Sequence, residues 1–78
     1  MEQFDEVKRP AHYIRGGMEC IDVVKVFVMD HDGFEGHCMA SVVQYLWRWK
    51  YKNGLQDLKK AREFLDFLIK YVEEKKGE

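Results

Sequence analysis

Seven of eight consecutive positions in this sequence carry rings or cations: Tyr45, Trp47, Arg48, Trp49, Lys50, Tyr51 and Lys52. Aromatic faces stack on nucleobases, and Arg or Lys holds phosphate oxygens. A second set, His12, Tyr13 and Arg15, follows Pro10 and precedes Gly16-Gly17. The two sets suit a compact anion that carries a ring, which is to say a nucleotide. The plainer reading is core packing with lysine stems laid along it. Because the aromatics of one helix cannot all face one way, Trp49 reads as core.

Charge patterning points the same way. From Gln44 to Arg62 the cations are Arg48, Lys50, Lys52, Lys59, Lys60 and Arg62, against one acid, Asp57. That segment is +5, which leaves −6 for the rest of a chain whose net charge is −1. A local basic patch on a slightly acidic body fits a phosphate-sized anion. Long nucleic acid usually asks for a strongly basic domain. The other reading of such a run is a solvated helix face.

Other constellations are weaker. There is no phosphate-binding loop of the G-x-x-x-x-G-K-[ST] kind and no G-x-G-x-x-G. Asp30, His31, Asp32, His37 and Cys38 do not have zinc spacing, so they read as polar capping before a helix and no metal or cofactor is implied. His12 and Cys20 supply a base and a thiol without any signature of nucleophilic catalysis. Cys20 and Cys38 form no C-x-x-C pair and read as small buried hydrophobes.

The elements that must position these groups are helical. Residues 1–17 lack periodicity and read as an extended arm ending in a turn at Gly16-Gly17. A first helix runs from Glu19 to about Met29, with Ile21, Val24, Phe27 and Val28 on one side. After the loop Asp30-His31-Asp32-Gly33, a second helix runs from about Glu35 to Tyr51. Its apolar stripe is Cys38, Met39, Val42, Val43, Leu46 and Trp49. Ser41, Tyr45, Arg48 and Lys52 lie along a different face. Asn53-Gly54 ends it, with Asn53 as N-cap of the next helix and Gln56 completing a capping box. The third helix runs from Leu55 to about Lys75, with Leu58, Ala61, Leu65, Leu68 and Val72 as its stripe. The short connection makes the last two helices an antiparallel hairpin. The expected fold is all-α: one three-helix domain, with arm 1–17 and helical core 18–76.

Size sets the last constraint. A 78-residue chain is one domain with a marginal core. Yet 46% of its residues are hydrophobic and 14% aromatic, so part of that surface is expected at a subunit interface, in a homo-oligomer, most simply a tetramer built from dimers. No apolar run is long enough for a membrane span. The opening Met1-Glu2-Gln3-Phe4-Asp5-Glu6 is no signal peptide, which gives a cytoplasmic expectation.

The ordered strings Pro10-Ala11-His12-Tyr13, Gly17-Met18-Glu19-Cys20-Ile21-Asp22, Tyr45-Leu46-Trp47-Arg48, Lys50-Tyr51-Lys52-Asn53-Gly54 and Asp57-Leu58-Lys59-Lys60-Ala61 resemble the small phage proteins of the DUF3310 family. The likeness covers about residues 9–70. It implies a phage origin, and so an infected bacterial host cell, together with an all-helical fold. Members carry a nucleotide-kinase-like label without a P-loop. Such proteins also resemble the sponges that sequester cyclic-oligonucleotide immune signals, the anti-CBASS type. Where the family has a Gly-Asn pair and a Lys before the Tyr, this sequence has Ala40-Ser41 and Gln44. The missing amide and cation weigh against inherited phosphoryl transfer. Two functions follow as expectations. In the first, His12, Tyr13, Arg15, Ser41, Tyr45, Arg48, Lys52 and Lys60 bind a cyclic dinucleotide without catalysis. In the alternative, a nucleotide kinase-like enzyme phosphorylates nucleoside monophosphates, with Asp22 or Asp57 on Mg²⁺.

Overall fold

A computed structural model describes residues 14–77. His12, Tyr13 and most of the expected arm lie outside the described residues. The first described feature is a minimal hairpin, in which β1 (Ile14–Arg15) pairs antiparallel with β2 (Met18–Glu19). Ile14 faces Glu19 and Arg15 faces Met18. The turn between them puts Gly16 at φ 55° and Gly17 at φ 77°. Two successive positive φ values are what a tight hairpin turn needs, and two glycines adopt them without steric penalty. The end of the expected arm therefore doubles back on itself.

Three helices follow. α1 (Cys20–Phe27) is short, and its Cys20 and Val24, one turn apart, are the buried pair. Ile21 and Phe27, expected to face inward, are exposed. Asp30, at φ 68°, turns the chain toward α2, a conformation an Asp side chain tolerates.

α2 (Gly33–Arg48) begins two residues earlier than its periodicity suggests, because Asp32 is its N-cap. The Asp32 carboxylate accepts from the Glu35 amide at 2.8 Å. The Glu35 carboxylate accepts from the Asp32 amide at 3.4 Å, which completes a capping box. The Asp-His loop thus serves the helix start. A 3₁₀ turn (Trp49–Tyr51) ends α2. α3 (Leu55–Lys76), about six turns long, then runs back along it. Its N-cap is Gly54 at φ 59°, not the expected Asn53.

α1 and α3 both pack on α2, which is the central helix. The seam between α2 and α3 is held at three levels. At one end the Tyr71 hydroxyl donates to Asp32 Oδ2 at 2.8 Å, Lys75 reaches Asp32 and Glu35 at 3.4 and 3.5 Å, and Phe34 packs on Tyr71. In the middle, Phe64 lies between His37 and Tyr45, with ring centroids at 5.5 and 6.0 Å, near buried Cys38 and Ala61. At the other end, Arg48 grips Asp57.

Candidate functional site

The Arg48 end of the seam places most of the sequence's candidate residues. Asp57 stands in the first turn of α3 and is only 1% exposed. Its carboxylate accepts from Arg48 Nε at 3.2 Å and Nη2 at 3.3 Å, a two-pronged grip that only a guanidinium makes. It also accepts from the Asn53 side-chain amide at 3.1 Å and backbone amide at 3.3 Å. Burial alone would push this carboxyl's pKa up. The bonds from Asn53 and Arg48 outweigh that, and it lies below its ordinary value. Arg48 further sits 4.9 Å over the Tyr45 ring, and that ring stacks on Phe64.

These contacts correct one expectation. Ser41, Tyr45 and Arg48 do not line an outward face. Ser41 is buried, and Tyr45 and Arg48 are partly buried against α3. Together with Cys38 they follow the spacing i, i+3, i+7, i+10, which is itself a helical stripe. The stripe carries Arg48 because Asp57 faces that position from α3. The residues that hydropathy assigns to the interior, Leu46 and Trp49, are exposed instead. On α3 the same shift leaves Leu65 and Val72 exposed, while Asp57, Ala61, Phe64 and Leu68 face inward.

Lys52 and Lys60 are exposed, as a ligand role requires, and Lys60 reaches Glu63 at 4.0 Å. Arg15 belongs to β1, remote in sequence from this end. The structure thus brings Tyr45 and Arg48 together and keeps Lys52 beside them at the turn. It does not leave the Tyr45 ring face free for a ligand.

What the turn does present is a different set of groups. Tyr51 is 62% exposed and Trp49 lies at its edge, also exposed. Lys50 and Lys52 alternate with them. Lys59 and Arg62 project from the first turns of α3. Lys50, Lys52, Lys59 and Arg62 form no ion pair among the described residues, so their charge is uncompensated locally. Lys59 and Arg62 are not among the candidate site residues of the sequence; the charge count from Gln44 to Arg62 is what signals them together.

A second concavity lies at the other end of the chain. It is an open groove of about 570 Å³ lined by Gly16, Gly17, Met18, Asp22, Val26 and Phe27. Its walls are mostly apolar, and its one charge, Asp22, is the wrong sign for phosphate.

No group of three or more His, Cys, Asp or Glu stands ready for a metal among the described residues. Cys20 and Cys38 are free and buried, and burial raises both thiol pKa values, so they remain protonated hydrophobes. No helix among the described residues is long and apolar enough to cross a membrane.

A family model described as a protein of unknown function, DUF3310, matches residues 7–66. The chain belongs to the DUF3310 family. That match spans the groove at Gly16–Phe27, the Arg48–Asp57 grip and the basic turn of this DUF3310 chain, and it ends midway along α3. No curated protein and no solved structure matches the chain.

Proposed function

We propose that this DUF3310 protein binds a small nucleotide of the cyclic-dinucleotide class without transforming it. It acts by stoichiometric capture at the turn between α2 and α3. One observation carries the reading: exposed Trp49 and Tyr51 alternate with the uncompensated cations Lys50 and Lys52, and Lys59 and Arg62 adjoin them. Rings supply stacking surface that tolerates any base, and the ammonium and guanidinium groups supply phosphate contacts. His12, Tyr13 and Arg15 of the expected arm remain further candidates for contact with the same ligand. In the cytoplasm of a phage-infected bacterium, such capture lowers the free concentration of a cyclic-oligonucleotide immune signal.

Phosphoryl transfer is the poorer reading. It depends on positioned charge neutralisation, normally through Mg²⁺. Of the two carboxylates available to it, Asp57 is buried and saturated by Arg48 and Asn53, and Asp22 stands alone. Incubating the protein with labelled cyclic dinucleotides and mononucleotides, followed by chromatography, tests the choice. Intact cyclic dinucleotide retained by the protein is the expected result. A new phosphorylated product would replace this reading with a kinase, and retention of nothing would remove the nucleotide site.

A further inference from the structure

α1 has one buried side and one that borders the groove at the hairpin turn. Cys20 and Val24 occupy the buried side, and the helix packs on α2. On the other side, at about 100° per residue around the helix, Asp22, Val26, Val23 and Phe27 follow one another across about 140° of its surface. Asp22 is thus one rim of the groove and Phe27 the other, with the two valines as floor between them. The hairpin supplies the remaining wall with Gly16, Gly17 and Met18. The two turn glycines send no side chain into the space, and a Cβ at either would meet no atom within 4 Å.

The groove carries a charge that the fold does not use. Asp22 is exposed and makes no hydrogen bond or ion pair among the described residues, not even with Lys25 three positions on. A cation seated there gains a charge-assisted hydrogen bond. Its carrier must be apolar, because the floor and the far rim are Val23, Val26 and Phe27. Met18 and Phe27 are half exposed, at 50% and 49%, and a thioether and a phenyl ring suit an aromatic body. Size narrows the occupant further. The groove measures about 570 Å³, within the roughly 300–1,000 Å³ of small-molecule sites. α1, with eight residues, is about 12 Å long, too short a seat for a partner helix or strand.

We propose that this groove binds a small organic monocation, an ammonium group on a short aromatic body. The ammonium donates to the Asp22 carboxylate, the body lies along Val23 and Val26, and the ring ends between Met18 and Phe27. The groove is separate from the basic turn and selects the opposite charge, so the inference does not depend on the nucleotide reading. Asp22 also stands in the first turn of α1, where a carboxylate complements the helix N-terminus. That role needs no apolar floor beside it, and helicity measured alongside binding separates the two.

Phenethylammonium is the probe, with phenylethanol and phenylacetate as its neutral and anionic counterparts. Titration of the full chain followed by NMR reads the methyl signals of Met18, Val23 and Val26, and circular dichroism reads helicity on the same samples. Phenethylammonium is expected to shift those signals saturably, phenylethanol to bind about tenfold more weakly, and phenylacetate to leave them in place. Asp22→Asn is expected to keep its helicity and to bind phenethylammonium about tenfold more weakly than the parent. No saturable shift in the parent, or equal binding of the three probes, overturns the proposal. So does an Asp22→Asn variant that binds the cation like the parent, with or without a loss of helicity. Should Asp22→Asn fail to fold, Val26→Trp decides. It keeps Asp22 and places an indole over the floor from a position that is 68% exposed, so it is expected to fold and to lose the probe. Parental binding by Val26→Trp overturns the proposal as well.

Discussion

Replacing Tyr45 by leucine separates packing from ligand stacking. Leucine keeps most of the aliphatic volume and loses the ring. In the structure that ring makes two contacts a leucine cannot: it stacks on Phe64 with centroids 6.0 Å apart and planes 21° apart, and it lies 4.9 Å beneath the Arg48 guanidinium. An aromatic pair contributes about 1 kcal/mol beyond its area, and a cation over a ring at a partly solvated site about 0.5 kcal/mol. The loss is then about 1.5 kcal/mol. For a chain of this length each kcal/mol shifts the melting temperature by about 4–8 °C, so the midpoint should fall by about 6–12 °C. Affinity for a cyclic dinucleotide, titrated calorimetrically well below that midpoint, should stay within about twofold of the parent. Combining Tyr45→Leu with Phe64→Leu should give a loss smaller than the sum of the two, by about 1 kcal/mol. A Tyr45→Leu protein that melts with the parent but no longer binds would refute the argument, since the ring would then belong to the ligand and not to the seam.

Three further outcomes follow from the same contacts. Arg48→Ala strands the buried Asp57 carboxylate, so it should lower the melting temperature by at least about 4 °C, and Arg48→Lys should recover only part because an ammonium cannot make the fork. Lys52→Ala should do the reverse: about tenfold weaker binding of a cyclic dinucleotide, with a shallower salt dependence and a melting temperature within about 4 °C of the parent. Acid should unfold the protein early. The Glu35 amide and Tyr71 hydroxyl hold Asp32 below its ordinary range, the His31 contact does so for Glu35, and Asp57 is also lowered. Carboxylates lowered on folding stabilise the fold above their unfolded values, and that contribution is lost as pH falls through the folded ones, so melting temperature should decline below about pH 4. A flat profile from about pH 6 to about pH 3 would contradict these assignments.

The contrast between Tyr45 and Tyr51 shows how far the sequence can be read. Helix number, order and approximate ends were legible, because period, the Asn53-Gly54 break and the Gly16-Gly17 pair are local signals. Family membership was legible too, from an ordered set of short strings. Which face of each helix turns inward was not. Hydropathy counts Leu46 and Trp49 as interior and Ser41, Arg48 and Asp57 as exterior. It cannot register that Asp57 in the first turn of α3 and Arg48 in the last turn of α2 are brought together by a short reversal, after which each makes the other's burial tolerable. Once that pair is inside, both helices rotate about their axes. Tyr45 follows Arg48 into the seam, while the neighbouring aromatics Trp49 and Tyr51 are carried outward by the 3₁₀ turn. The same rotation turns Leu46, Leu65 and Val72 outward. A single buried ion pair therefore has two consequences at once. It moves the exposed aromatic and cationic groups from the helix face to the turn, and it leaves Leu46 and Leu65 exposed to solvent.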